Sequence, residues 1–438
     1  MSKSKEARRP VTVVIIGAGG RGYLTYAPYA KKYPEQMKVV GVAEPDEKRR
    51  KMMQEEYRLS SENCFSTAEE LFSAPRFADM AFICTQDHQH IKHGLLAMEA
   101  GYDILLEKPI SADIGECQKL NQRARELKRF VTVCHVLRYA PFYQKIKELI
   151  DSGALGEVVC IQAAENVGYW HQTHSYVRGK WRDADKTSPM ILAKSCHDMD
   201  ILVWLTGSTC KTVSSVGALT FFRKENAPEG APSHCLGGCP VKESCCFDAE
   251  KIYVTDALTG YDANGAGWMQ KAVTPSGDRE SLYQALRTGP YGRCVFRCDN
   301  NVVDHQTLSA VMKNGVSISF AMCGLNSDNY RTIHVMGTKG DLWGELEKEK
   351  ILLKPFGKEP EEIRLSVEET VSGHGGGDYH MLSEMFQARR EGRDSLTGLE
   401  ESLASHYMAL AAERSRQLGG KCLDVDDFVT QREGTDGR

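Results

Sequence analysis

The sequence has no apolar run that approaches the ~18 residues of a membrane-spanning helix. Its first ten residues are polar and basic and contain no apolar stretch of the kind found in a secretory signal. An excess of one charge is also missing, because 55 basic residues face 59 acidic ones, for a net charge of −4, and no long block of like charge occurs. These absences argue against a membrane or a nucleic acid as the main partner and favour a cytoplasmic protein.

Cysteine, by contrast, is plentiful, with 15 residues in the chain. In a protein without an export signal these thiols are expected to stay reduced, as buried small hydrophobic residues, metal ligands or reactive groups. The hydrophobic content of 41% and the charged content of 26% are typical of a globular protein. A chain of 438 residues is too long for one ordinary core, so we expect two domains, with room for a large insertion.

A βαβ pattern near the N-terminus organises the first part of the chain. A run of β-formers, Val11–Ile16, leads into a glycine-rich loop and a helix-compatible stretch, and a second strand at residues 39–43 ends at Glu44. The loop has G-x-G-x-x-G spacing, which lets backbone approach a pyrophosphate, and Glu44 follows at about the ~20 residues expected of an acid that binds the adenosine ribose. The candidate dinucleotide ligands in the loop are Gly17, Gly19, Gly20, Arg21 and Gly22.

Glu44 also bears on the choice of dinucleotide. Arg49 and Arg50 follow it closely and could meet the 2′-phosphate of NADP, but the Glu44 carboxylate would repel that phosphate. The sequence therefore predicts NAD, with NADP as the less favoured cofactor.

Strand–helix alternation continues to residue 136. Predicted strands at residues 80–84, 102–106 and 130–136 complete a six-stranded doubly wound sheet, so residues 1–136 are predicted to form an α/β Rossmann domain. Ligands of such sheets bind at the carboxyl ends of the strands. The residues that follow two of these strands are therefore further candidate cofactor ligands: Thr85, His88, Glu107 and Lys108.

An ordered set of motifs resembles the Gfo/Idh/MocA oxidoreductases, the glucose–fructose oxidoreductase and inositol dehydrogenase-like enzymes. The set comprises the glycine-rich loop with its acid, Glu107-Lys108-Pro109, and Cys196-His197-Asp198-Met199-Asp200, and the resemblance covers almost the whole chain. It implies a C-terminal α/β domain, residues 137–438, with an open, mostly antiparallel sheet that presents one face to the substrate and the other often to a partner subunit. It also implies NAD(P)-dependent oxidation or reduction at a secondary alcohol carbon of a sugar, inositol or related polyol, in a homodimer or homotetramer.

The resemblance further assigns catalytic residues. In the family the lysine of Glu-Lys-Pro, here Lys108, meets the reacting oxygen, and His197 matches a family histidine that faces the nicotinamide. The family has an Asp four residues before that histidine, where this chain has Ala193. Without the motif, Lys108 would be interpreted as a surface lysine and His197 as a structural histidine.

The missing carboxylate suggests a role for Lys194. If residues 191–205 form one helix, Lys194 and Asp200 share the face of His197, and Asp198 points away. Two ammonium groups near one hydroxyl disfavour each other, so one lysine could be neutral enough to act as a base. Lys194 is therefore a third catalytic candidate, and Asp200 is a candidate substrate ligand.

Residues 169–182 are dense in groups that bind sugars. Indole faces stack on the C–H surfaces of pyranoses, while His, Tyr and Arg side chains donate to hydroxyls. The segment favours a carbohydrate over an aliphatic acid, with an ordinary aromatic-rich loop as the alternative. The candidate substrate ligands here are Tyr169, Trp170, His174, Tyr176, Arg178 and Trp181. The resemblance adds His374 and Asp378, because it places the glycine-rich stretch at 373–378 near the substrate.

Residues of about 221–300 form an insertion with its own character. Cysteine spacing in it suits a loop-held Zn²⁺ site, which needs four soft ligands in a tetrahedron. The predicted ligands are Cys235, Cys239, Cys245 and Cys298, with Cys294, His234 or His305 as other choices for the fourth. Free thiols are the alternative, and Trp268 is a candidate to roof the active site.

Three functions remain open from the sequence. The first is an NAD-linked dehydrogenase of a sugar, inositol or glycoside. The second is a glycoside-cleaving enzyme that uses tightly held NAD for transient ring oxidation followed by elimination of the aglycone, outside the usual two-carboxylate mechanism. The third is a non-catalytic NAD-dependent regulator, against which the presence of Lys108 and His197 weighs.

Overall fold

The computed structural model describes residues 9–365 and 374–433, so residues 1–8 of the polar N-terminal stretch and Gly373 lie outside the described residues. The first six strands form one parallel sheet in the order β3-β2-β1-β4-β5-β6. These strands are β1 (Val11–Ile16), β2 (Met37–Ala43), β3 (Cys64–Phe65), β4 (Met80–Ile83), β5 (Asp103–Leu106) and β6 (Val131–Val133). The predicted doubly wound sheet is confirmed.

The first sheet is buried on both faces, as a parallel sheet requires. In β1, Val13 and Ile15 enter the core on one face, and Val14 and Ile16 enter the core on the other. The helices of this part are α1 (Tyr29–Lys32), α2 (Glu47–Tyr57), α3 (Ala68–Ser73), α4 (His90–Glu99) and α5 (Ile114–Leu127). Asp46 is the N-cap of α2, and its carboxylate accepts from the Arg49 N–H at 3.0 Å.

The second sheet has nine strands within the described residues, in the order β14-β13-β12-β11-β7-β10-β9-β8-β15. All neighbouring strands run antiparallel except β7 and β10. The strands are β7 (Val158–Gly168), β8 (Cys210–Ala218), β9 (His305–Met312), β10 (Ser317–Asn326), β11 (Tyr330–Gly337), β12 (Gly340–Glu345), β13 (Lys350–Pro355), β14 (Glu361–Arg364) and β15 (Leu423–Asp424). The predicted mostly antiparallel sheet of the C-terminal domain is confirmed.

Period-two alternation gives this sheet a buried face and an outward face. Ile161, Val335 and Leu342 are paired across three strands and lie in the main core of the domain. The helices of this part are α6 (Pro141–Asp151), α7 (Tyr169–Gln172), α8 (Met190–Ala193), α9 (Cys196–Thr206), α10 (Tyr261–Asn264), α11 (Trp268–Val273), α12 (Arg279–Thr288), α13 (Gly377–Glu391), α14 (Leu399–Gln417) and α15 (Val425–Glu433). Helix α13 returns to the first domain, where Met381, Met385 and Phe386 complete its core.

The insertion lies between β8 and β9 and contains helices α10, α11 and α12. It has small cores of its own, one of which is built around Tyr253 and Leu286 and the other around Phe222 and Phe296. The insertion therefore has hydrophobic clusters apart from the main core of the second domain.

The prediction of a single helix at residues 191–205 is wrong. The chain forms α8, turns at Lys194 and Ser195, and begins α9 at Cys196. Ser195 has a backbone φ of −87° and ψ of 8°, which breaks the α-helical run. The turn leaves the Ala193 carbonyl available to a donor from the first domain. The turn also means that Lys194 and His197, three residues apart, do not share one face of a continuous helix.

In the part of the chain that the structure describes, no helix combines the length and the apolar character needed to cross a bilayer.

Candidate active site

The glycine-rich loop is closely packed on one side and open on the side where a dinucleotide would bind. A Cβ at Gly22 would stand 2.2 Å from the Gly17 carbonyl oxygen, and a Cβ at Gly17 (φ +91°) would stand 2.7 Å from the Cys84 carbonyl oxygen. By contrast, apart from the adjoining residues of the chain, no atom of the described residues lies within 4 Å of a Cβ built at Gly19 or at Gly20. The close approaches fix the turn and the open side leaves bare backbone for a pyrophosphate, so the loop fits an NAD-type ligand.

Glu44 directly follows β2, beside this loop, and is 5% exposed. Its Oε2 accepts from the Ala18 N–H at 2.7 Å, and its Oε1 accepts from the Asp46 N–H at 3.0 Å. The carboxylate therefore ties the glycine-rich loop to the start of α2, at the edge where an adenosine ribose would bind.

Arg21 is engaged by the protein itself. Its Nε lies 2.6 Å from Glu107 Oε1 and its Nη2 lies 2.6 Å from Asp378 Oδ1. The other oxygen of Asp378 lies 3.1 Å from His374 Nδ1. This group of four residues, which we call the Arg21 network, joins the glycine-rich loop, the loop after β5 and helix α13. The side chain of Arg21 is therefore held by two carboxylates, and the role of Arg21 in dinucleotide binding stays a prediction.

The Arg21 network brings His374 to the predicted catalytic histidine. The rings of His374 and His197 have their centroids 5.4 Å apart, and His374 adopts a left-handed φ of 58°, which is uncommon for a residue other than glycine. Asp378 is almost fully buried. Burial alone would raise the pKa of Asp378, but Arg21 and His374 outweigh it and hold that pKa well below its usual range.

Lys108 and His197 converge from different domains. Lys108 follows β5, and its Nζ donates to the Ala193 carbonyl at 2.8 Å, at the end of α8. His197 is 4% exposed, and its buried Nδ1 has no hydrogen-bond partner among the described residues. Burial lowers the pKa of His197 well below its usual value, and the nearby charge of Lys108 adds to that shift. The two predicted catalytic groups therefore share one site, where the imidazole is neutral near pH 7.

Lys194 belongs to a second buried charge group. Its Nζ lies 3.1 Å from Glu165 Oε1, and Arg331 pairs with both Glu165 and Asp198, with 2.9 Å between Arg331 Nε and Asp198 Oδ1. Burial lowers the pKa of Lys194, although Glu165 opposes the shift. Burial raises the pKa of Asp198, while Arg331 opposes that change. In sequence, Lys194 directly follows Ala193, whose carbonyl accepts from Lys108.

Asp200 is placed differently from the prediction. Both of its carboxylate oxygens lie 2.7 Å from the Arg138 guanidinium, and the pair is buried. Because α9 begins only at Cys196, Asp198 rather than Asp200 joins the group around Lys194. Asp200 joins α9 to Arg138, which follows β6, and both of its carboxylate oxygens are engaged in this buried ion pair.

The aromatic segment after β7 divides into structural and accessible residues. Arg178 is fully buried and donates to the Arg293 and Phe247 carbonyls at 2.7 and 2.6 Å, so it supports the insertion and cannot reach a sugar. His174 and Tyr176 are also buried, and His174 Nδ1 lies 2.9 Å from the Tyr253 hydroxyl. The predicted sugar ligands that stay half-buried are Tyr169, Trp170 and Trp181.

Trp181 and the loop after β4 meet at Asp87. The Trp181 Nε1 donates to Asp87 Oδ1 at 3.0 Å. In the same loop Thr85 Oγ1 lies 3.1 Å from His93 Nδ1, and His88 is exposed. Thr85 and His88 thus remain at the carboxyl edge of the sheet, where the sequence places them.

The predicted zinc site finds no support in the structure. Among the residues that the structure describes, no group of three or more His, Cys, Asp or Glu side chains could hold a metal ion. Cys235, Cys239 and Cys245 do line one small cavity, but Cys294 accompanies them, while the thiol of Cys298 points to the Cys294 carbonyl at 3.4 Å. All 15 cysteines are free thiols.

Sequence reasoning missed four buried polar residues of this site. His135 is fully buried with its ring centroid 6.2 Å from that of His197. Glu165, Asp198 and Arg331 make up the buried charge group around Lys194. The available signal for Glu165 and Arg331 was a charged residue within a strand, in β7 and in β11.

Comparisons with known proteins agree with this geometry. A family model described as an oxidoreductase family with an NAD-binding Rossmann fold matches residues 11–135, and one described as an oxidoreductase family C-terminal alpha/beta domain matches residues 147–422. The Bacillus subtilis protein YteT is 23% identical over 419 residues, which cover 89% of this chain and 92% of YteT.

Solved structures share the fold at low identity. Levoglucosan dehydrogenase in complex with NADH and levoglucosan has a TM-score of 0.71 at 15% identity, covering 95% of this chain and 100% of that one. An inositol dehydrogenase homolog from Azotobacter vinelandii in complex with NAD+ has a TM-score of 0.69 at 13% identity, covering 95% and 97%. The two family models together span most of the sequence, and the chain belongs to the Gfo/Idh/MocA family of NAD(P)-dependent oxidoreductases.

Proposed function

We propose that this protein is an NAD-linked dehydrogenase that oxidises or reduces a secondary hydroxyl carbon of a sugar, inositol or glycoside. The observation that carries the proposal is one hydrogen bond between the two domains. Lys108 Nζ, from the first domain, donates at 2.8 Å to the Ala193 carbonyl, just before the α8–α9 turn that leads to His197. An ammonium and a neutral imidazole in one partly desolvated site suit a substrate oxygen that must gain or lose a proton.

When bound, NAD supplies the acceptor or donor of the hydride. We propose that the open backbone at Gly19 and Gly20 and the Glu44 edge hold it, with NAD favoured over NADP because the Glu44 carboxylate is fixed beside the ribose site. Lys108 would bind the reacting oxygen, and His197 would exchange the proton, since its imidazole is neutral and its buried Nδ1 is unpaired among the described residues.

The substrate class rests on the surroundings of this pair. The half-buried rings of Tyr169 and Trp170 offer apolar faces to pyranose C–H groups, and the His374–Asp378 pair offers a polar edge. Levoglucosan dehydrogenase and the inositol dehydrogenase homolog, which share the fold, have cyclic polyols in their names. A cyclic polyhydroxylated substrate therefore fits the site better than an aliphatic acid.

We also propose that the protein acts as a homodimer or homotetramer in carbohydrate metabolism in the cytoplasm. The outward face of the second sheet supports self-association, because Val216, Val311, Leu325 and Trp343 alternate onto that face and are each at least 40% exposed.

The test uses purified protein with NAD and a panel of sugars, inositols and aryl glycosides, while NADH and free aglycone are measured together. Net NADH formation supports the dehydrogenase. Aglycone release without net NADH would indicate the glycoside-cleaving reaction, and neither product would indicate a non-catalytic regulator. Lys108→Met should abolish turnover while NADH binding stays intact, and full activity in that variant would contradict the assignment.

A further inference from the structure

The insertion brings an exposed tryptophan to the mouth of the crevice. Helix α11 packs against the Gly20–Tyr26 turn that follows the glycine-rich loop. Its first residue, Trp268, has its ring centroid 5.3 Å from that of His171 and 4.8 Å from that of His174, on the segment that continues β7. Trp268 therefore bridges the insertion and the segment in which the sugar ligands are predicted.

Trp268 is held on one side and open on the other. His174 meets it edge-on at 88° and His171 at 68°, and Trp170 lies 6.5 Å away between centroids, yet 48% of Trp268 remains exposed. Tyr253 and Phe222, two aromatic residues in the cores of the insertion, are by contrast at most 2% exposed. A fixed indole with a free face is a ready surface for an apolar ligand face.

A line of residues leads from the proposed reaction centre toward this indole. Lys108 contacts Ala193, the next residue Lys194 pairs with Glu165, and the charge of Lys194 adds to the effect of burial in lowering the pKa of His171. His171 in turn contacts Trp268. A ligand that reacts at Lys108 and extends along this line reaches the indole with its second part.

We propose that Trp268, supported by His171 and His174, is the platform of a second subsite that binds the ring attached to the reacting sugar. The substrate is then a glycoside or disaccharide, and a free monosaccharide occupies only the inner part of the site. This inference rests on the proposed function and deepens it by naming the substrate class. The indole stacks on the second pyranose or aryl ring, while the inner hydroxyl groups meet the catalytic residues.

The experiment measures dissociation constants by calorimetry on the NADH-loaded protein. The probes are glucose, galactose and xylose, each compared with a disaccharide and a 4-nitrophenyl glycoside that contain it. In the wild type the two-ring probes of at least one sugar should bind about tenfold more tightly than the single ring, the gain expected of one good aromatic contact. Trp268→Ala should reduce that advantage to about twofold or less, and Trp268→Phe should keep most of it, because stacking requires only an aromatic face.

Leu258→Ala is the matched control, since Leu258 is an exposed apolar residue of the same insertion at 55% exposure. It should leave the ratio of the two affinities unchanged. The subsite proposal is overturned if single-ring and two-ring probes bind the wild type equally, or if Trp268→Ala weakens the binding of NADH itself, which would assign the indole to the cofactor.

Turnover separates this proposal from the proposed function. If the wild type oxidises a monosaccharide and a second ring brings no advantage, only the subsite is wrong. If no carbohydrate of the panel binds or reacts, the proposed function and the subsite are both wrong.

Discussion

At the scale of single residues, the substitution of the family's aspartate by Ala193 changes what the site can do. A main-chain carbonyl accepts the Lys108 ammonium at this position. A carbonyl oxygen can orient an ammonium group, but unlike a carboxylate it cannot take up a proton near pH 7. Proton transfer in this chain therefore has to come from other side chains, and we propose His197 and Lys194 for that role.

Lys194→Met tests that requirement. Burial lowers the pKa of Lys194, so part of the wild-type acid limb of kcat/KM for alcohol oxidation should reflect loss of its proton, with activity that rises with pH. We expect the variant to lose that limb and to fall in kcat by about 10²-fold or more, which is the lower range for general acid–base groups. The measurement is the pH dependence of steady-state oxidation.

Lys194→Arg is the informative companion variant. Arginine keeps the positive charge opposite Glu165 but cannot be deprotonated in this pH range. If Lys194 acts as a base, the arginine variant should be as inactive as the methionine variant. If it only balances the charge of Glu165, the arginine variant should keep most of the activity. Near-normal kinetics in both variants would remove Lys194 from the mechanism.

At the scale of secondary-structure elements, the sequence predicts best where local chemistry decides the structure. The strands of the first sheet, the α2 N-cap Asp46 and the glycine-rich loop all follow from periodicity, capping and close backbone packing within a few residues. The break between α8 and α9 does not, because residues 190–206 are helix-compatible throughout. Its contacts, Lys108 with Ala193 and Glu165 with Lys194, come from distant parts of the chain.

The same limit explains Arg21, Arg178 and Asp200. Each was a candidate ligand from its local motif or segment, and each bonds to at least one protein group that lies 62 or more positions away in sequence. Residue type shows that a partner is needed, but only the fold shows which partner is near. The pairs that build the site, such as Arg21 with Asp378, are therefore beyond single-sequence reasoning.

Helix α13 is attached to the nucleotide-binding loop through the Arg21 network, and Asp378→Asn should loosen that attachment. The folded-state pKa of Asp378 is held below its usual value, so its contribution to stability is fully present above the unfolded value of about 4 and is lost as the pH falls through the folded value. The substitution should destabilise the protein by about 3 kcal/mol at pH 7, the usual cost of removing one partner of a buried ion pair. It should also weaken NADH binding.

Thermal unfolding at neutral and acidic pH measures this effect. The difference in Tm between wild type and Asp378→Asn should be largest at pH 7 and should shrink as the wild-type carboxylate gains its proton at low pH. Asp394→Asn is a suitable control, because its side chain lies in an exposed turn after α13. Equal Tm values for wild type and Asp378→Asn at pH 7 would show that the Arg21 network contributes nothing to the docking of α13.

At the scale of the whole molecule, the site exists only because three distant parts of the chain meet. The first domain contributes Lys108, the second contributes His197 and Lys194, and α13 returns with Asp378 to close the site from the side of the first domain. The insertion adds Trp268 at the outer edge. Under the proposed function, nucleotide binding, chemistry and substrate selection would involve different elements of the chain.

The outward face of the second sheet makes a prediction about the assembly. Its exposed apolar residues include Val311 in β9, which is 40% exposed, and Trp343 in β12, which is 45% exposed. Val311 lies opposite Ser317 of the neighbouring strand β10. A broad sheet face with such residues matches a surface buried between subunits, and stable interfaces cover about 800 Å² on each partner.

Light scattering should give a dimer or tetramer for the wild type, and Val311→Glu should shift it toward the monomer, because the charge would be desolvated at the interface. Leu258→Glu, which puts the same charge on the insertion, should not change the mass, and a wild type that is monomeric at tens of micromolar would show that this face does not bind a second copy of the chain.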